Sequence, residues 1–235
     1  MRRQENLVEN YLMILEESDL MKHIVFVEGH NEQYLLDIVF ASKGIDINEK
    51  IKHFIFSKDG KKVRESEFIR RILDRRNPKE VLVKNECGDP IYRQYVNNCY
   101  STQVNEAKII YVFDLDKFGG DLNNMESHIK SITTDYALED LEVKFKPDPK
   151  CRKTNFKFGT ISVKYKSSQY EHKFLVFDHS LETFMGSNAG LSEQEFDNKN
   201  PEERKEIMTK VYSRDSTLQF AIEQLFDFDA INKSN

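Results

Sequence analysis

Ile109-Ile-Tyr-Val-Phe-Asp114-Leu-Asp116 is the stretch on which the architecture turns. Five successive β-branched or aromatic residues leave no polar face, so the run reads as a strand buried on both sides in a parallel sheet. Nearer the N-terminus, His23-Ile-Val-Phe-Val-Glu28-Gly29 repeats the pattern, again closing an apolar run with a carboxylate. Ligands of open α/β sheets bind just beyond the carboxyl ends of such strands. Glu28, Asp114 and Asp116 fall there, and Glu32 follows Glu28 by about one helical turn. Carboxylates gathered in one place repel one another unless a cation sits among them. A divalent ion with oxygen ligands is the simplest remedy, and such ions serve phosphoryl chemistry.

Outward from these runs the pattern alternates. Leu7, Val8, Tyr11, Leu12 and Leu15 predict an amphipathic helix over 4–18. Asn31 is placed to cap a second helix ending near Gly44, and His53-Phe-Ile-Phe-Ser57 reads as a strand. Lys58-Asp-Gly-Lys-Lys62 then opens a basic helix that stops before Pro78. Residues 79–108, rich in Asn with Gly88 and Pro90, break this rhythm and read as an insertion. A glycine-containing turn at 117–121 leads into a helix running to about Asp140. The alternation through 141–177 predicts antiparallel or edge strands. Asn200-Pro201-Glu202-Glu203 marks a helix start, and a last helix carries Leu218, Ala221, Ile222, Leu225 and Phe226. The expected organisation is an N-terminal helix over 1–21, a core over 22–185 and a helical segment over 186–235. The expected fold class is α/β, with a mainly parallel central sheet flanked by helices and a β-rich excursion.

Composition narrows the class. A hydrophobic fraction of 39% with 17 Phe and 10 Tyr supports a real core, and 32% charged residues imply a heavily solvated exterior. The net charge of −5 argues against coating nucleic acid through overall charge but leaves room for a local basic groove. Cys87, Cys99 and Cys151 show no CxxC spacing, which fits reduced thiols and gives no zinc signal. No signal-peptide core and no bilayer-length apolar run occur, so a cytoplasmic protein without membrane contact is expected.

Each acidic position has two readings. Glu28 is a metal-bound or acid/base carboxylate, or a solvated acid at a strand-to-helix turn. Along an extended chain Asp114 and Asp116 point to the same side and can share one cation, although Asp116 could simply cap a helix. Glu32 leans toward that cation or favours the positive helix N-terminus. Glu182, after the apolar run 174–177, is a further ligand or an ordinary first-turn acid. Between Lys144 and Lys173 lie nine Lys or Arg against Asp148 and Glu171, with Phe145, Phe156, Phe158, Tyr165 and Tyr170 interleaved. That reads as a surface for a nucleic-acid backbone and unstacked bases, or as an edge hairpin kept soluble by lysines. His30, next to Gly29, could orient a water or a phosphate.

The order of these motifs resembles the Toprim family: a strand ending in Glu-Gly, an α/β crossover, then a strand ending in Asp-x-Asp. Here these are Val27-Glu28-Gly29 and Phe113-Asp114-Leu115-Asp116. Glu28-Gly-His-Asn-Glu32-Gln-Tyr-Leu-Leu36, the Gly-Lys turn within 57–63 and His179-Ser-Leu-Glu182 are similar to the OLD-like and Toprim-only effector nucleases of antiphage systems of the PARIS type. The likeness covers about 22–185. It departs in the long polar stretch 79–108 and in offering no lysine matched to a transition-state stabiliser.

What the resemblance implies is a Toprim-like Rossmannoid endonuclease using Mg²⁺ or Mn²⁺, with two ions expected. Glu28, Asp114 and Asp116 would be catalytic, and Glu28, Glu32, Asp114, Asp116 and Glu182 would ligate metal. Lys61, Lys62, Lys164, Lys166 and Lys173 would hold nucleic acid, either RNA such as tRNA or DNA. It further implies a toxic defence effector controlled by a separate ABC/SMC-type ATPase sensor, and leaves a homodimer open. The alternatives are a primase or topoisomerase-like role, a nucleic-acid-binding or regulatory subunit without turnover, and a phosphate-binding metabolic enzyme using a Mg²⁺-nucleotide.

Overall fold

The structure, a computed structural model, describes residues 23–55, 81–85, 108–135, 141–165 and 168–233. The expected helices over 4–18 and after Lys62 lie outside these residues, as do Lys61, Lys62 and Lys166.

The chain is an α/β protein built on a mixed, mostly parallel, Rossmann-like sheet. Strands β1 (His23–Val27), β2 (Ile51–Ile55), β3 (Val81–Asn85), β4 (Lys108–Asp114), β5 (Leu141–Pro147), β6 (Phe156–Tyr165) and β7 (Ser168–Phe177) join in the order β2-β3-β1-β4-β7-β6-β5. The pairs β2–β3, β3–β1, β1–β4 and β4–β7 are parallel, whereas β7–β6 and β6–β5 are antiparallel. As the unbroken apolar run predicts, every residue of β1 is buried, and β4 is buried from Ile109 to Phe113.

One expectation changes. The stretch 79–108 is not wholly an insertion, because Val81–Asn85 forms β3, fully buried between β2 and β1. Lys84 hides it: the run Val-Leu-Val is cut short by a charge, yet Lys84 is only 1% exposed, with Nζ 5.6 Å from the centre of the Phe26 ring. The stretch 141–177 forms antiparallel strands as expected, with β5 at the sheet edge and β7 in the interior, antiparallel to β6 and parallel to β4.

Helices α1 (His30–Ser42), α2 (Ile47–Lys50), α3 (Leu122–Asp135), α4 (Leu181–Ala189), α5 (Glu193–Asp197), α6 (Pro201–Arg214), α7 (Ser216–Leu225) and α8 (Phe228–Lys233), with 3₁₀ turns at Asp116–Phe118 and Pro149–Lys153, complete the described elements. Asn200 caps α6 as its sequence suggests, accepting from Glu203 N at 3.0 Å while the Glu203 carboxylate accepts from Asn200 N at 3.0 Å. The C-terminal helices belong to the central core: Phe196, Met208, Val211, Leu218 and Ile222 share one buried cluster with Val25 and Val27 of β1 and Leu35 and Val39 of α1. The expected helix after Gly119 and Gly120 is α3, described to Asp135. Among the described residues, no helix is long and apolar enough to cross a membrane.

Beside β1 the connections run toward β3 on one flank and β4 on the other, so a crevice opens between the carboxyl ends of β1 and β4. Glu28 and Asp114 stand at its two lips.

Candidate metal centre

Three carboxylates meet at this crevice. One oxygen each from Glu32 in the first turn of α1, Asp114 at the end of β4 and Glu182 in the first turn of α4 lie within 4.8 Å of one another. Two oxygens on one cation are separated by at most twice the metal–oxygen distance, about 4.2 Å for Mg²⁺ and roughly 5 Å for Ca²⁺. A contraction of a few tenths of an ångström would therefore let one ion reach all three.

Each carboxylate already has one oxygen held by an N–H donor. Gly29 N donates to Glu32 Oε2 at 2.8 Å, Leu181 N to Asp114 Oδ1 at 3.0 Å, and Asn31 Nδ2 to Glu182 Oε1. Glu32 Oε1, Asp114 Oδ2 and Glu182 Oε2 are not used by these bonds. Such an arrangement presents three monodentate ligands, two of them anchored by backbone N–H groups and one by a side-chain amide. Gly29 leaves this contact unstrained, since a Cβ would sit 3.1 Å from Glu32 Oε2 and the carboxylate would have to give by a few tenths of an ångström. Its amide therefore serves this carboxylate rather than a phosphate.

The electrostatics show what the trio lacks. Glu32 is 2% exposed, and burial, then the Glu182 charge, push its carboxyl up to about 8. Asp114 is pushed up to about 10 by burial, then by the charges of Glu32, Glu182 and Glu28. Three ionised carboxylates are untenable here without a cation, so the donor set fits a hard divalent ion.

Other acids at the same sheet edge already have cations. Glu28 is raised by burial, an effect opposed by Lys117, whose Nζ lies 3.3 Å from Glu28 Oε1. Glu28 Oε2 accepts from Asp114 N at 3.4 Å, so both its oxygens are engaged. Asp178, just past β7, pairs with Lys157, which also donates to Gly120 O at 3.2 Å. Gly120 has φ of 75°, and a Cβ there would meet Asp178 O at 3.0 Å, so glycine is required at that contact.

Asp116 is not in the trio. The strand ends at Asp114 and Leu115 turns to φ −105°, ψ 14°, so the two-residue alternation does not carry Asp116 to the same side. Its carboxylate is exposed and accepts from Lys117 N at 2.6 Å, opening a short 3₁₀ turn. Its charge still reaches Glu28, whose carboxyl it helps to raise. His30 is exposed, with Nδ1 3.2 Å from Asn85 Nδ2, and Asn85 also donates to Gln33 Oε1 at 3.0 Å.

The basic segment is only partly as expected. Phe145, Phe156 and Phe158 are 5%, 1% and 2% exposed and belong to the interior, so they offer no faces for bases. Period-two alternation turns Phe145 away from Lys144 and Lys146, whereas Phe156 and Phe158 share the face of Lys164 but lie at the other end of β6, opposite Phe177 and Leu175; Lys144, Lys146 and Lys164 are exposed. Lys173 is half-buried and donates to the Gln224 carbonyl at the end of α7. Lys164 lies beside Gln169, eight residues along β7 from the Phe177–Asp114 pairing, or about 26 Å from the level of the trio.

Motif reading did not single out Asn31 as a ligand-holding residue, nor Asn85, Lys117, Lys157 or Arg204. Lys117 and Lys157 become visible only once the carboxyl ends of β1, β4 and β7 are aligned.

The class defined by this fold and site is an α/β protein carrying a partly buried carboxylate trio at the switch point of a mostly parallel sheet. No family model, curated protein or solved structure matches the chain.

Proposed function

We propose that this protein is a divalent-metal-dependent nuclease of the Toprim type, hydrolysing phosphodiester bonds in RNA such as tRNA or in DNA. The observation that carries the reading is the trio itself: Glu32, Asp114 and Glu182, each with one oxygen anchored by an N–H donor and one left over. These residues would hold Mg²⁺ or Mn²⁺, which when bound lowers the pKa of water and offsets charge on phosphoryl oxygens. Glu28, set beside Asp114 and carrying Lys117, stands where a carboxylate can orient a water or accept a proton. Lys117 and Lys157 add positive charge at the rim of an acidic crevice, where a phosphodiester must approach. Lys144, Lys146 and Lys164 would track the backbone farther from the cut. Within this reading the chain is a defence effector restrained by a separate ATPase sensor.

The test is incubation of purified protein with mixed DNA and total tRNA, in Mn²⁺ or Mg²⁺ against EDTA, alongside Asp114→Asn. Metal-dependent cutting lost in the variant is the expected result, and the polymer consumed names the substrate. Salt-sensitive binding without cutting, unchanged by EDTA, would instead favour a binding subunit.

A further inference from the structure

The trio rests on three N–H donors, of which one alone is a side chain. Gly29 N and Leu181 N are backbone groups at helix starts, and their directions follow from the fold. Glu182 instead depends on the amide of Asn31, which is 6% exposed. That amide lies between opposite charges: its Nδ2 donates to Glu182, while Arg204 Nη1 lies 3.5 Å from its Oδ1. Exchanging the amide's oxygen and nitrogen would set oxygen against carboxylate and NH₂ against guanidinium, so a single orientation is favoured.

Arg204 is in turn fixed. Its Nε donates to Lys199 O at 2.9 Å and Nη2 to Asp197 O at 2.6 Å, anchoring the planar fork to the turn between α5 and α6. In the next residue, Lys205 places Nζ 4.5 Å from the centre of the Tyr34 ring, holding α6 against α1. Glu182 has several rotatable bonds and a half-buried carboxylate. Without a donor, that side chain would spread over rotamers that turn away from Glu32 and Asp114.

Resting on the metal-dependent reading above, we infer that Asn31, oriented by Arg204, is the positioning residue that aims Glu182 at the ion. The metal centre therefore extends into the C-terminal helical segment: Arg204 lies 173 residues beyond Asn31 and outside the motifs that carry the acids.

Calorimetric titration of Mn²⁺ into the full chain tests this in wild type, Asn31→Ala, Arg204→Gln and the double variant. Asn31→Ala should weaken Mn²⁺ binding about 10–100-fold, the range for partners that orient a metal ligand. Arg204→Gln should weaken it less, and the double variant no more than Asn31→Ala alone, since Arg204 acts through Asn31. Thermal unfolding in EDTA reports any general loss of fold separately. Wild-type affinity in Asn31→Ala, or losses that add in the double variant, would overturn the inference. Should Asn31→Ala fail to fold, wild-type affinity in Arg204→Gln would overturn it equally. Absence of Mn²⁺ binding by the wild type would overturn the metal reading itself.

Discussion

The parallel half of the sheet and its antiparallel wing handle charge in opposite ways. At the carboxyl ends of β1 and β4, carboxylates are sunk among one another, and Glu32 and Asp114 are held far above the usual carboxylate range by burial and mutual repulsion. On the β5–β6 wing, Lys144, Lys146 and Lys164 stand in solvent, and Lys164 keeps only a loose pairing with Glu142 at 3.8 Å. Exposed pairs of that kind contribute about 0–1 kcal/mol. The lesson is that charge density in sequence does not report electrostatic stress. The most basic segment is relaxed, and two acids as far apart in sequence as Glu32 and Asp114 are not.

The sharpest way to break this contrast is Asp114→Asn. As the most strongly perturbed member of the trio, Asp114 should be indispensable, and Mn²⁺ affinity measured by calorimetry should fall by more than about 100-fold, beyond the loss typical of an outer partner. Metal-dependent cutting should disappear with it. Retained affinity would remove Asp114 from the centre and end the contrast.

The pH dependence of the metal-free protein comes next. Glu32 and Asp114 have folded pKa values of about 8 and about 10, above their ordinary 4.5 and 3.8, so the folded state binds more protons than the unfolded one between these limits. Their contribution to stability is complete below the unfolded values and is lost as pH rises through the folded ones. In EDTA, stability should therefore fall as pH rises from about 5 to about 10. Chemical denaturation across that range measures it. Asp114→Asn should flatten the slope, and saturating Mn²⁺, which binds the folded state, should raise stability most at the alkaline end.

A smaller effect separates acids that already have a cation from those that lack one. Glu28→Gln should reduce Mn²⁺ affinity less than Glu32→Gln, because both Glu28 oxygens are engaged by Lys117 and Asp114 N. Equal losses in parallel titrations would place Glu28 among the direct ligands. The smallest effects belong to the wing. Changing Lys144, Lys146 and Lys164 singly to Ala should alter stability by less than about 0.5 kcal/mol. Each lysine that meets a phosphate should lower the salt dependence of nucleic-acid binding by about one unit of slope, with Mn²⁺ affinity unchanged.

Much of the frame was legible in the residues. The runs closing at Glu28 and Asp114 read as buried parallel strands because continuous apolar stretches have no other comfortable setting, and Asn200-Pro201 announced its helix by local capping chemistry. β3 was hidden because Lys84 interrupts its short run, and no local rule shows that a lysine will be buried beside Phe26. The aromatic residues of the basic segment are interior because of the side of the strand for Phe145 and the end of the strand for Phe156 and Phe158, neither of which composition reveals.

By itself, then, the sequence determined that an acidic crevice would form at the ends of two buried strands, since periodicity and local capping are properties of neighbouring residues. Tertiary structure alone decided which acids share it. Leu115 turns the chain before Asp116 can join, α4 brings Glu182 across to Glu32, and Arg204 arrives from α6 to orient Asn31. Those choices depend on distances between residues remote along the chain, and only packing of the helices on the sheet sets such distances.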